Sequence, residues 1–198
     1  MVALAAPVAA AAQTFYIDDI VWTGDSEGDG SAPASFGVDT KFAPSGYIGD
    51  GSLPGFVSHA SCMSPQGDTS CHHYEWNPNS DAGGSSQGWA GVLWQSQPGD
   101  WAGPTDPAGT PVAAGYREVR FWAWSSGASG EDVAFLAGMG ANTKDGWQSK
   151  LEVHLSTTPT LYTLGVAGGY GANVVGGFGW VSSNPGGVSF NIDGAEWR

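Results

Sequence analysis

The chain has 198 residues, enough for one well-buried core and cramped for two complete domains. Its 32 glycines and 10 tryptophans, against only 6 lysines and arginines, point to many short strands joined by tight turns. The formal charge of −13 repels phosphate backbones and anionic headgroups, which argues against nucleic-acid and membrane-surface partners and disfavours polyanionic glycans, leaving neutral ligands or cations.

Residues 1–12, "MVALAAPVAAAA", are apolar and end in Ala-x-Ala, like the last part of a secretion signal, although a basic start is missing and Pro7 interrupts the run. No run is long and apolar enough to span a membrane. "TFYIDDIVW" at 14–22 reads as a strand and aligns without a gap on "SFNIDGAEW" at 189–197, pairing Phe15 with Phe190, Ile17 with Ile192, Asp18 with Asp193 and Trp22 with Trp197. Residues 23–35, "TGDSEGDGSAPAS", have no period and read as a linker or exposed loop. Residues 1–35 are therefore an N-terminal segment, either a signal remnant with the domain's own first strand or the tail strand of a preceding module, followed by a linker. Residues 36–198 form the main domain.

Cys62 and Cys71 stand in a Gly/Ser/Pro-rich stretch and are expected to form a disulfide. A metal site of Cys62, Cys71, His72 and His73 is the alternative, but neighbours on a strand point to opposite faces and do not share one ion easily. Further strands are expected at 72–78, 89–95, 117–124, 132–139, 149–156, 161–166, 173–182 and 188–197, separated by turn clusters such as "TKDG" and "NPGG". In "LEVHL", Leu151, Val153 and Leu155 share one face, and Glu152 and His154 the other. In "REVRFWAW", Val119, Phe121 and Ala123 oppose Glu118, Arg120, Trp122 and Trp124, and the sequence leaves open which face meets the core. The expected fold is all-β, a two-sheet antiparallel β-sandwich of jelly-roll type.

"FAPSGYIGDG" (42–51), "GWAGVLWQSQPGDWAG" (88–103), "REVRFWAW…GEDVAFLAG" (117–138), "GGFGWVS" (176–182) and the terminal Ile-Asp strand together resemble the β-sandwich carbohydrate-binding modules of secreted bacterial polysaccharide-degrading proteins. The resemblance covers roughly residues 36–198 and departs at Gly194, where a second acidic residue would stand. It implies a secreted, extracellular, non-catalytic module that recognises a neutral polysaccharide (β-glucan, xylan or mannan) and is tethered to other modules or a catalytic domain. It also implies a structural calcium with Asp193 as ligand, Asp39 and Asp18 being partner candidates; hard oxygen donors suit that ion. No organic cofactor is expected.

Sugar rings have an apolar face and a rim of hydroxyls, so a binder needs exposed aromatic platforms beside planar polar groups. Trp89, Trp94 and Trp101 lie in the richest stretch. Alternation allows at most one of Trp89 and Trp94 to face outward. The candidate binding residues are Trp94, Gln95, Trp101, Trp124, Trp147 and Tyr170. An alternative is a small jelly-roll glycoside hydrolase or polysaccharide lyase using Glu152, His154 or Glu75. A third reading is a structural or adhesion sandwich whose tryptophans fill the core.

Overall fold

The computed structural model describes residues 33–198 apart from 61, 66, 68–70, 79–85, 128–129 and 167. The strand at 14–22, Asp18 and the readings of residues 1–32 lie outside the described residues. In chain order the strands are β1 (Phe36–Gly37), β2 (Ala43–Gly49), β3 (Val57–His59), β4 (His72–Trp76) and β5 (Ala90–Gln95). The short β6 (Thr110–Pro111) precedes β7 (Glu118–Ser125), β8 (Glu131–Ala137), β9 (Ser149–Leu155) and β10 (Thr160–Gly165). The short β11 (Asn173–Val174), then β12 (Gly176–Ser182) and β13 (Val188–Trp197), complete the order.

The first sheet runs β10-β7-β13-β4-β3, with β1 also paired to β13; the second runs β2-β5-β12-β8-β9, and β6 pairs β11 separately. Every pairing is antiparallel. Setting aside the short β6 and β11, the chain crosses between the two sheets at most connections, β2 to β3, β4 to β5 and β12 to β13 among them, and stays within one sheet from β3 to β4 and from β8 to β9; the crossing is the winding of a jelly roll. The expected segment 173–182 divides into β11 and β12. The strand β2 escapes a periodicity reading because Pro44, Ser45 and Gly46 break the alternation; it is an edge strand, where proline costs no ladder bond.

The core fills the space between the sheets. Along β7, Val119, Phe121 and Ala123 are buried while Glu118, Arg120, Trp122 and Trp124 are half-buried on the outer face, which answers the question the sequence leaves open. Phe121 packs on Phe135 at 4.4 Å and on Phe178 at 4.9 Å, and Tyr74 on Trp180 at 5.1 Å. Such pairs each add roughly 0.5–1.5 kcal/mol beyond area burial.

On β13, Phe190, Ile192 and Trp197 are all buried in the core. Strict alternation would put Ile192 and Trp197 on opposite faces. A register shift between Asp193 and Glu196 inserts the extra residue that brings Trp197 back inward. Gly194, at φ +57°, sits inside this bulge, so a backbone requirement accounts for the residue found where a second acid was expected.

The disulfide Cys62–Cys71 forms as expected, with Cα atoms 5.3 Å apart. Several carboxylates serve loop architecture. Asp145 accepts backbone N–H bonds from Met139 (2.9 Å), Val175 (2.6 Å) and Gly176 (2.9 Å). Asp106 does the same for Trp101 (3.1 Å) and Gly103 (2.9 Å). Each satisfies donors that irregular backbone otherwise leaves unpaired.

Candidate functional site

The outer face of the second sheet carries a row of residues in register across all five strands: Ile48, Gly91, Val181, Ala134 and Glu152. Small side chains in the middle of the row make a shallow trough. A cavity of about 650 Å³ lies there, between Trp89 on one side and Lys150, Glu152 and His154 on the other, with Asp132, Ser182 and Ser183 along it. Trp89 is 37% exposed. Glu152 is paired with Lys150 at 2.5 Å and His154 Nδ1 with Asp132 at 2.8 Å, all four side chains reaching solvent. The trough thus combines one aromatic platform with carboxylate, ammonium, imidazole and hydroxyl groups able to hydrogen-bond a polyol.

Trp89 is held from behind by the turn after β2. The Asp50 N–H donates to the Trp89 carbonyl at 2.8 Å. The Asp50 carboxylate accepts from the Ser86 hydroxyl and from the Gln87 N–H, the latter at 2.7 Å. Gly49, at φ +58°, lies under the indole, and a Cβ there would stand 2.8 Å from ring carbons and 2.4 Å from the Trp89 carbonyl oxygen. Only glycine allows this contact.

Asp50 is fully buried. Burial raises its pKa, but the Ser86 hydroxyl and the Gln87 and Gly88 N–H groups outweigh that, and the net shift is downward. A depressed folded pKa means that its stabilising contribution is complete above the unfolded value near 3.9 and is lost as pH falls through the folded one. The melting midpoint of the native protein is therefore expected to fall more steeply below about pH 4 than that of Asp50→Asn, in thermal melts across that range. Parallel slopes would contradict this role.

Several expected site residues belong to the core. Trp94 is 1% exposed, because β5 turns it inward and Trp89 outward; its Nε1 donates to Asp39 Oδ1 at 2.7 Å. Gln95 is fully buried and ties a loop, donating from Nε2 to the Asp100 carbonyl at 2.7 Å and accepting at Oε1 from the Ser45 hydroxyl at 2.9 Å. Trp147 is buried edge-on against Trp197 at 6.3 Å. Tyr170 uses its hydroxyl on the Tyr116 N–H at 2.7 Å and the Ala113 carbonyl at 3.1 Å, which makes it a loop fastener. Trp94, Gln95 and Trp147 are therefore too buried to offer a face to a sugar, whereas Tyr170 is half-buried. Trp124 lies on the outer face of the first sheet, away from Trp89, and Trp101 is 44% exposed on its loop beyond the far end of β5.

The proposed catalytic residues separate. Glu152 and His154 line the trough, whereas Glu75, on the first sheet, pairs with His73 Nε2 at 2.9 Å and lies outside it. For calcium, Asp39 fits poorly: Trp94 Nε1–H points at Oδ1, and His72 Nε2 is 3.0 Å from Oδ2, a contact that needs a proton on that nitrogen. Both donors would repel a cation. Asp193 is fully buried and accepts from the Ser64 hydroxyl at 2.5 Å. Among the described residues no three His, Cys, Asp or Glu side chains stand together as a metal site.

The stretch around Trp89 holds the exposed indole of the trough, but strand parity alone does not say which tryptophan faces out. Asp132 and Ser182 lie within the segments that carry the resemblance and Ser183 just after one, but no spacing marks any of the three as a site residue. Gly49 and Asp50 act across 36 to 40 positions of sequence, beyond any spacing rule.

The fold and site define a jelly-roll sandwich with an aromatic-flanked polar trough on one outer face. Solved structures similar to it include the family 11 carbohydrate-binding module from Clostridium thermocellum in complex with a β-1,3-1,4-mixed-linked tetrasaccharide, at 9% identity over 77% of this chain and 86% of that one, TM-score 0.48. The CBM22-1 xylan-binding domain of Paenibacillus barcinonensis Xyn10C matches at 9% identity over 83% and 92%, TM-score 0.44. The K1 cleaved adhesin domain of Lys-gingipain from Porphyromonas gingivalis W83 matches at 14% identity over 83% and 96%, TM-score 0.46. No family model matches the sequence, and no curated protein matches it.

Proposed function

We infer that the chain is a carbohydrate-binding module that takes a polysaccharide along the outer face of the second sheet, with Trp89 as its stacking platform. The single observation that carries this reading is the trough itself, an exposed indole beside a small-residue floor and a polar flank. An apolar sugar face covers Trp89 while ring hydroxyls meet Glu152, His154 and Ser183. The ion pairs on the flank leave no cluster of unpaired cations for a uronic acid, so a neutral chain such as a β-glucan, xylan or mannan is the main ligand class.

One platform supports weak binding, so the module works best tethered to others or to an enzyme. The Cys62–Cys71 disulfide suits an oxidising, extracellular setting. Affinity electrophoresis against mixed-linked β-glucan, xylan, mannan and cellulose derivatives is expected to retard the protein with at least one of them. Unretarded migration with every glycan would overturn the reading.

A further inference from the structure

The trough continues past Asp132 and His154. Both residues also line a second cavity, of about 660 Å³, at the end of the sandwich, so the two spaces adjoin. The second cavity is bounded by the β7–β8 turn at Gly127 and Gly130, the β12–β13 turn at Asn184 and Gly187, and Glu75. Glu131 lines it and is only 6% exposed. As the first residue of β8 it shares the inward face with Val133 and Phe135.

Its carboxylate is underused. Oε1 receives the Ser189 N–H at a long 3.4 Å, and Oε2 is buried with no hydrogen-bond partner. A buried carboxylate oxygen without a donor is costly, and a ligand that brings a donor recovers that cost. Among the described residues no lysine or arginine lines the cavity, while Glu75 and Asp132 add two more carboxylates. Those two are engaged with His73 and His154. Glu131 is left as the acceptor in search of a cationic donor.

We propose that this cavity takes the ammonium group of an amino sugar, a 2-amino-2-deoxyhexose within a glycan whose neighbouring rings occupy the trough at Trp89. The inference rests on the reading of Trp89 as a sugar platform. An ammonium carries three N–H donors and a full charge, which answers both the unpaired Oε2 and the carboxylate excess. A bare metal ion suits the cavity less, since among the described residues no three acidic or imidazole side chains converge.

The test is calorimetric titration of the full chain with glucosamine tetramers and with N-acetylglucosamine tetramers, at about pH 5.5. The free amine form is expected to bind roughly tenfold tighter, and Glu131→Gln to bring the two affinities together. If Glu131→Gln does not fold, Glu75→Gln decides: its side chain is 54% exposed, and removing its charge is expected to narrow the preference severalfold. Equal affinities of the native protein for the two tetramers overturn the inference, as does displacement of the amino sugar by calcium. Neutral glycans bound through Trp89 with no amine preference would sink this inference alone. No binding of any glycan would sink the Trp89 reading with it.

Discussion

Trp197→Ala is expected to destabilise the domain by about 4 kcal/mol, the usual cost of emptying a fully buried tryptophan site. The ring is 0% exposed. It lies parallel to Phe36 at 6.0 Å and meets Tyr116, Trp147 and Tyr170 edge-on at 6.0, 6.3 and 5.1 Å. Its Nε1 donates to the Gly177 carbonyl at 2.9 Å, so truncation also strands a buried acceptor. The strand β1 depends on it twice, through the ring stack and through the pairing of Phe36 with Trp197. Thermal melts should show a midpoint lowered by roughly 12 °C for a domain of this size. A midpoint within a few degrees of the native protein would contradict the packing account.

Trp89→Ala is expected to act on binding and spare the fold. Covering roughly 80 Å² of indole contributes about 2 kcal/mol, so its removal lowers affinity for the retained glycan about thirtyfold. Trp124→Ala on the opposite sheet serves as the control and leaves affinity unchanged, since one sugar chain in the trough does not reach it. Quantitative affinity electrophoresis separates the two variants. Equal loss in both would mean that the platform lies elsewhere.

The sheet architecture was legible wherever one face of a strand is buried. The alternation of β7 and β9 read directly from Val119, Phe121 and Ala123 and from Glu152 and His154, because a period of two survives in those strands. It failed at β2, where Pro44 and Gly46 carry no period, and at β13, where a bulge hides the shared face of Ile192 and Trp197. The five-residue step from Ile17 to Trp22 is the same as that from Ile192 to Trp197. In β13 the step from Ile192 to Trp197 spans a bulge that keeps both residues inside.

The site was legible only in part. Composition pointed to aromatic platforms, and parity restricted Trp89 and Trp94 to opposite faces. Choosing between them required knowing that β5 is central, with β2 and β12 on either side, and which of its faces meets Tyr74 and Phe178. That is a long-range fact. The same holds for Asp50, whose carboxylate organises the segment that leads into Trp89, and for the second cavity, whose walls come from three distant turns and strands. The net charge misleads if read only as a statement about partners, because carboxylates such as Asp145 and Asp106 are occupied by the chain's own backbone.

The most direct measurement is an indole N–H titration by nuclear magnetic resonance, in which each of the 10 tryptophans contributes one indole N–H, assigned by single substitution. On addition of a glycan tetramer that the protein retains, the Trp89 signal is predicted to move in proportion to occupancy. The buried Trp94, Trp180 and Trp197, and Trp122 and Trp124 on the first sheet, are predicted to stay in place. Movement confined to Trp122 and Trp124 would put the ligand on the opposite face and contradict the account.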